Sequence, residues 1–156
     1  MRLAALVAVG VLALDQLTKL LALARLAPGA SVPVIDGFLA LTLVMNPGLA
    51  FGILAATPPG WRWVVALLSL SALSVLAVLS IRVLPAAGGA AALGLGLIFG
   101  GAVGNLIDRG RFGAVVDFID VYWRSYHWPA FNVADSAITV GVGLVALRIL
   151  APRRSI

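Results

Sequence analysis

The stretch AAGGAAALGLGLIFGGAVGNLI, from Ala86 to Ile107, contains no charged residue and runs straight into Asp108 and Arg109. A helix needs about 20 mostly apolar residues to cross the hydrocarbon of a bilayer, so this stretch reads as a transmembrane span. Working outward, three more stretches meet the same test, at about 3–26, 61–84 and 131–150. Four crossings would leave both termini on one side, and residues 1–156 read as a single integral membrane domain.

Composition agrees. The chain of 156 residues is 62% hydrophobic and 11% charged, with a mean hydropathy of +1.11. Soluble domains carry about 25% charged residues, which puts this chain in the membrane class. The formal net charge of +5 comes from basic residues scattered singly, not from a patch or stripe. They read as anchors beside anionic lipid headgroups, and nucleic acid is not an expected partner. There is no cysteine, no glutamate, and one histidine, His127. A Cys/His zinc site, a His-Glu-x-x-His metalloprotease helix and a cysteine nucleophile are therefore excluded. Met1 and Arg2 followed by an apolar run resemble a secretory signal. The apolar character resumes through Leu26 with no small-residue cleavage site after the run, so a retained first span is expected.

Two segments between spans differ in texture. Residues 31–56 hold β-favouring runs punctuated by Pro33, Gly37, Pro47, Gly48 and Gly52, which predicts a small β-cradle on the membrane surface, because an open strand edge does not survive in hydrocarbon. Residues 108–130 carry Phe112, Phe118, Tyr122, Trp123, Tyr126 and Trp128, and aromatics at that density predict a segment lying in the interface. Both segments fall on the same face of the membrane. Arginines divide evenly between the two faces, so the positive-inside rule does not orient the chain. In the third span Gly96, Gly100 and Gly104 form one smooth stripe, and Ala134, Ala137 and Gly141 another in the fourth, which predicts close packing of spans three and four through these residues.

All six acids are aspartates, and Asp15, Asp108, Asp117, Asp120 and Asp135 lie at or beside span ends. Ionisable groups at membrane depth cost several kcal/mol, about 3 on insertion scales, and mark functional sites. Asn105 precedes Asp108, and Asn132 precedes Asp135, by three residues each, which puts each amide on the helical face of the acid that follows it. Asp117 stands among bulky apolar neighbours in Val115-Val116-Asp117-Phe118, which favour a neutral carboxyl. Two carboxylates gathered in a poorly solvated cleft cannot both ionise. One keeps a proton as general acid while the other serves as base, a pairing suited to water attack on an amide carbonyl. The plainer reading is that these acids cap helix ends or pair with Arg109 or Arg111. The residues alone do not say which of Asp108, Asp117 and Asp120 would join Asp135. Asp15 and Lys19, four apart on the first span, predict an ion pair with a structural role. Asn46, opening Asn46-Pro47-Gly48-Leu49-Ala50-Phe51-Gly52, could donate to a substrate backbone.

Together, Asp15-Gln16-Leu17-Thr18-Lys19, the Asn46–Gly52 string, Gly104-Asn105-Leu106-Ile107-Asp108-Arg109, Val115-Val116-Asp117-Phe118 and Phe131-Asn132-Val133-Ala134-Asp135-Ser136 resemble the five ordered motifs of the bacterial lipoprotein signal peptidase (signal peptidase II) family. The resemblance implies an aspartyl endopeptidase that removes signal peptides from diacylglyceryl-modified prolipoproteins. It implies Asp117 and Asp135 as the catalytic dyad, with Asn105, Asp108, Arg109 and Asn132 orienting dyad and substrate. Asp15 and Lys19 would support the site, and Asn46 and Gly48 would belong to the substrate cradle. The fold implied is an all-α membrane protein with four transmembrane helices, a small β-cradle and an interfacial helix on the outer membrane surface. Also implied are residence in the inner membrane, cytoplasmic termini and a periplasmic-side active site. A departure from the family pattern is Leu49, where alanine is commoner.

The expected partners are lipid-modified prolipoproteins and membrane lipids, with the chain acting as a monomer and with no cofactor or metal. The rival reading is a small ion- or proton-coupled transporter built on intramembrane aspartates. Such proteins gather their acids near the bilayer midplane within an internal repeat, whereas these acids gather toward one surface. A Ser/Lys enzyme would need Lys19, the only lysine, to reach a serine such as Ser136 from deep within its helix.

Overall fold

The computed structural model of the chain describes residues 2–48, 62–83 and 88–150. Residues 49–56 of the expected cradle, Leu49 among them, lie outside the described residues, as do the connections into the second span and between the second and third. The elements in order are α1 (Arg2–Arg25), β1 (Ser31–Ile35), β2 (Leu39–Asn46), α2 (Arg62–Val83), α3 (Gly88–Phe112), β3 (Val115–Trp123), β4 (Tyr126–His127) and α4 (Val133–Leu150). Among the described residues α1, α3 and α4 are long and apolar enough to cross a membrane, and the apolar stretch of α2, Trp63–Val78, is shorter. Leu6, Val9, Leu17, Leu21, Leu147 and Ile149 point outward from α1 and α4. In water that surface would drive aggregation, and in lipid it faces its natural solvent.

α3 is the central helix, burying Ala91, Ala92, Leu95 and Ile98, with α1 and α4 packed against it. Its glycines divide between two faces. Gly96 meets Ala4 and Val7, Gly100 meets Ala8 and Val11, and Gly104 meets the carboxylate of Asp15. The predicted stripe therefore receives α1, not α4. Contact with α4 is as close as expected but runs through Gly94 and Gly101, one face over: a Cβ at Gly94 would lie 2.9 Å from the Gly141 carbonyl oxygen, and one at Gly101 2.5 Å from that of Ala134. A central helix with two neighbours needs two smooth faces, and a single i+4 row marks only one of them.

The strands form one antiparallel sheet in the order β1-β2-β3-β4. The mostly helical chain carries the expected small β-cradle as β1 and β2, and β3 and β4 extend it where an interfacial helix was expected. α3 runs on through Phe112 and stops where Gly113, at φ 68°, turns its N–H back to the Arg109 carbonyl at 3.0 Å. Val115, Val116, Phe118, Ile119, Val121 and Tyr122 then favour a strand, and β2 supplies the partner. Aromatic density speaks to where a segment lies, not to its conformation. The chain next returns from β4 and pairs Phe131 with Ile119, the two exchanging N–H···O bonds at 2.9 and 3.1 Å. That return sets the first turn of α4 beside β3.

Candidate active site

Each acid of interest is placed by an element boundary. Asp117 sits in β3 opposite Val44 of β2 and is 2% exposed. Asp135 occupies the third position of α4, whose N-cap is Asn132. The Asn132 side-chain oxygen accepts the Asp135 N–H at 2.9 Å, and Asp135 Oδ2 accepts the Asn132 N–H at 3.3 Å, a reciprocal cap that fixes both side chains.

The two acids are joined through amides. Asn132 Nδ2 donates to Asp117 Oδ1 at 2.7 Å and to Asn105 Oδ1 at 3.2 Å, while Asn105 Nδ2 donates to Asp135 Oδ1 at 2.8 Å. Asn46 Nδ2 donates to Asp117 Oδ2 at 3.0 Å. Each Asn thus serves a distant carboxylate: Asn105 turns to Asp135 instead of Asp108, and the Asn132 amide turns to Asp117 instead of Asp135. The helical i+3 reading predicted local pairs. It is overturned because Asp108 is fully engaged elsewhere and because Asn132 spends its oxygen on the cap.

Asp108 and Asp15 are held by the same cation. Lys19 Nζ lies 2.9 Å from Asp15 Oδ2 and 2.8 Å from Asp108 Oδ2, and it donates to Asn105 Oδ1 at 2.8 Å. Lys19 is 2% exposed, Asp15 0% and Asp108 1%. Fully engaged and buried, the lysine is no base for Ser136, whose hydroxyl donates to the Asn132 carbonyl at 3.0 Å. Asp108 pairs with Lys19, not with Arg109 or Arg111. Arg109 instead donates to the Gly48 carbonyl at 2.8 Å and the Asn105 carbonyl at 3.2 Å, tying the cradle to the end of α3, while its Nε is buried without a hydrogen-bond partner among the described residues. The Gly48 N–H donates to Asn46 Oδ1 at 3.0 Å, which turns the Asn46 amide toward Asp117.

Burial, followed by the charge of Asp135, pushes the Asp117 carboxyl up to about 7, against the pull of the Asn46 and Asn132 donors and of Lys19. A cleft of about 200 Å³ opens over it, lined by Met45, Asn46, Pro47, Pro129 and Ala130. A carboxyl titrating near neutrality, coupled to the carboxyl of Asp135 and set at the edge of an apolar cleft, can hold a water and exchange a proton with it. That is the arrangement for acid–base hydrolysis of an amide.

The structure excludes Asp120 from this group. Three positions along β3 from Asp117, it faces the opposite side of the strand and meets His127 Nδ1 at 3.0 Å, with the Tyr122 ring stacked on the imidazole at 5.2 Å. Sequence reasoning passed over Gln16. Its Nε2 reaches Asp15 Oδ2 at 3.2 Å, Asp108 Oδ1 at 3.2 Å and the Gly104 carbonyl at 3.3 Å. Its position next to an acid on a span was the available signal.

The sequence profile of the family described as signal peptidase (SPase) II matches residues 7–151. The chain is 49% identical over 148 residues to the lipoprotein signal peptidase of Geobacter sulfurreducens, covering 95% of this chain and 91% of that one. It is 51% identical over 139 residues to that of Desulforapulum autotrophicum, covering 85% and 82%. A solved bacterial membrane enzyme, determined by the in meso method at 2.3 Å resolution, superposes with a TM-score of 0.78 at 34% identity, over 98% of this chain and 93% of the other.

Proposed function

The chain belongs to the signal peptidase II family, and on that premise we propose that it is a membrane-embedded aspartyl endopeptidase that cleaves the signal peptide from diacylglyceryl-modified prolipoproteins. Asp117 and Asp135 are its catalytic dyad. The observation that carries this reading is the amide bridge: Asn105 and Asn132, hydrogen-bonded to each other, each present an N–H to one of the two carboxylates.

In the cycle, Asp135 as carboxylate takes a proton from a water held between the acids, and the water oxygen attacks the scissile carbonyl carbon. Asp117, still protonated near neutral pH, donates to the carbonyl oxygen as it gains charge, and its proton then passes to the departing amine. Asn105, Asn132 and Asp108 orient the pair, Arg109 fastens the cradle at Gly48, and Asn46 offers its amide to Asp117 and to the substrate backbone. Asp15 and Lys19 support the site from α1. The fold is one domain over residues 1–156 with four spans, α2 being the second. The termini are cytoplasmic and the dyad lies near the periplasmic surface of the inner membrane. The protein acts as a monomer surrounded by lipid.

The test is incubation of the purified protein with a lipidated precursor, with and without a metal chelator. Cleavage on the signal-peptide side of the lipidated cysteine that survives chelation is the expected result. An intact precursor would refute the reading, and chelator-sensitive cleavage would replace the aspartyl mechanism.

A further inference from the structure

Lys19 is one of the largest fully buried side chains of the molecule, yet its ammonium meets neither dyad acid; its ion pairs are with Asp15 and Asp108. We propose that Lys19 is a positioning residue that fixes which way the Asn105 amide points, and so delivers an N–H to Asp135. This rests on the reading of Asp117 and Asp135 as the working pair.

The argument is one of donors and acceptors. An ammonium only donates, so the Asn105 atom 2.8 Å from it has to be the oxygen. The other end of that planar amide, its NH2, is then committed to Asp135 Oδ1 at 2.8 Å. Rotating the amide by half a turn would set its NH2 against the Lys19 ammonium and the Asn132 NH2, three donors converging, and would set its oxygen against a carboxylate. Asn132 needs no such help, because the Asp135 backbone N–H already fixes its oxygen at 2.9 Å. Among the described residues Asn105 has no backbone partner of that kind; its oxygen is held by Lys19 and by the longer 3.2 Å contact from Asn132, whose NH2 also serves Asp117 and the Val116 carbonyl. The shorter, charge-assisted bond dominates. Lys19 therefore sets the polarity of the whole amide bridge from outside it. A lysine that only balanced Asp15 and Asp108 would have no need to reach Asn105.

The experiment measures kcat and KM per folded molecule, with a lipidated precursor, for the wild type, Lys19→Met, Lys19→Gln, Asn105→Ala and the Lys19→Met/Asn105→Ala pair. Lys19→Met is expected to lower kcat about 10- to 100-fold, the scale of a displaced catalytic contact, with KM little changed. Lys19→Gln, which keeps a donor without the charge, should regain about tenfold of that loss. Adding Asn105→Ala to Lys19→Met should lower kcat no more than about threefold further, because the two changes act through one bond. Losses that multiply in the double variant, or a Gln variant as slow as the Met variant, would overturn the proposal. If Lys19→Met does not fold, Lys19→Gln against Asn105→Ala decides: a Gln variant about tenfold faster supports the proposal, and one equal or slower overturns it. Wild-type protein that leaves the precursor uncut would overturn the functional reading and this proposal with it, whereas active wild type with multiplying losses removes only the role given to Lys19.

Discussion

The carboxylate of Asp15 accepts the backbone N–H of Ala134 at 3.0 Å, across 119 positions of sequence and one residue before Asp135. Asp108 does the same for the other acid, its Oδ2 accepting the Val116 N–H at 3.1 Å, one residue before Asp117. Lys19 joins the two supports. The main chain next to Asp117 and next to Asp135 is thereby held by one buried cluster of α1 and α3 side chains.

Asp15→Asn should lower the yield of folded protein more than it lowers turnover per folded molecule. The change removes one carboxylate from a buried ion pair, a loss of about 3 kcal/mol, while Asp108 keeps its hold on Lys19. Folded yield in detergent and kcat on the purified fraction measure the two effects separately. The opposite pattern would move Asp15 into the chemistry.

Asp117→Asn and Asp135→Asn should each cut the turnover of a lipidated precursor by at least about 10²-fold, the lower range for loss of an acid–base group, while the protein still inserts and folds. Monodisperse elution together with absence of product is the expected pair of observations. Wild-type turnover by either variant would end the dyad assignment.

The raised Asp117 carboxyl gives stability a sign against pH. Its value of about 7 exceeds the ordinary 3.8, so between those pH values the folded state binds more protons than the unfolded. The contribution is fully present below 3.8 and is lost as pH rises through 7. Relative to Asp117→Asn, the wild-type Tm should therefore fall as pH is raised from 4 toward 8. A constant gap across that range would contradict the burial of the acid.

The same group should end the active pH range. Above about 7 Asp117 loses the proton it would donate, so kcat/KM should decline on the alkaline side. Asn46→Ala removes a donor that favours the ionised form of Asp117, and it should move that decline to higher pH. A shift to lower pH would reverse the sign argued for the Asn46 contact.

Glycines on the packed faces of α3 should tolerate no side chain. Gly101→Ala would press a methyl against the Ala134 carbonyl, a backbone atom that cannot turn aside, and such overpacking costs about 1–3 kcal/mol. Gly10→Ala and Gly143→Ala meet open space and should be neutral or slightly stabilising. Thermal unfolding of the three variants tests the contrast.

Much of this was legible because acids in apolar surroundings are conspicuous. Asp15, Asp108, Asp117 and Asp135 could be picked out singly, and the Asp15–Lys19 pair followed from helical spacing. What spacing does not carry is partnership between elements. Asn105 and Asn132 were assigned to acids three residues away, yet their bonds cross between α3, β3 and α4, which only the assembled fold brings together. The aromatics of the 108–130 segment did not announce its strand, because a strand depends on β2 lying alongside. The Gly96-Gly100-Gly104 row announced a close neighbour without saying that the neighbour was α1.

Because Phe131 closes against Ile119, the excursion through Arg124 and Ser125 hangs beyond a clasp, with Arg124 in the left-handed region at φ 56°. Length added at that tip is absorbed outside the clasp. It is a natural attachment point for an epitope or fluorophore that would report on the enzyme in a living membrane while leaving the spacing of its acids untouched.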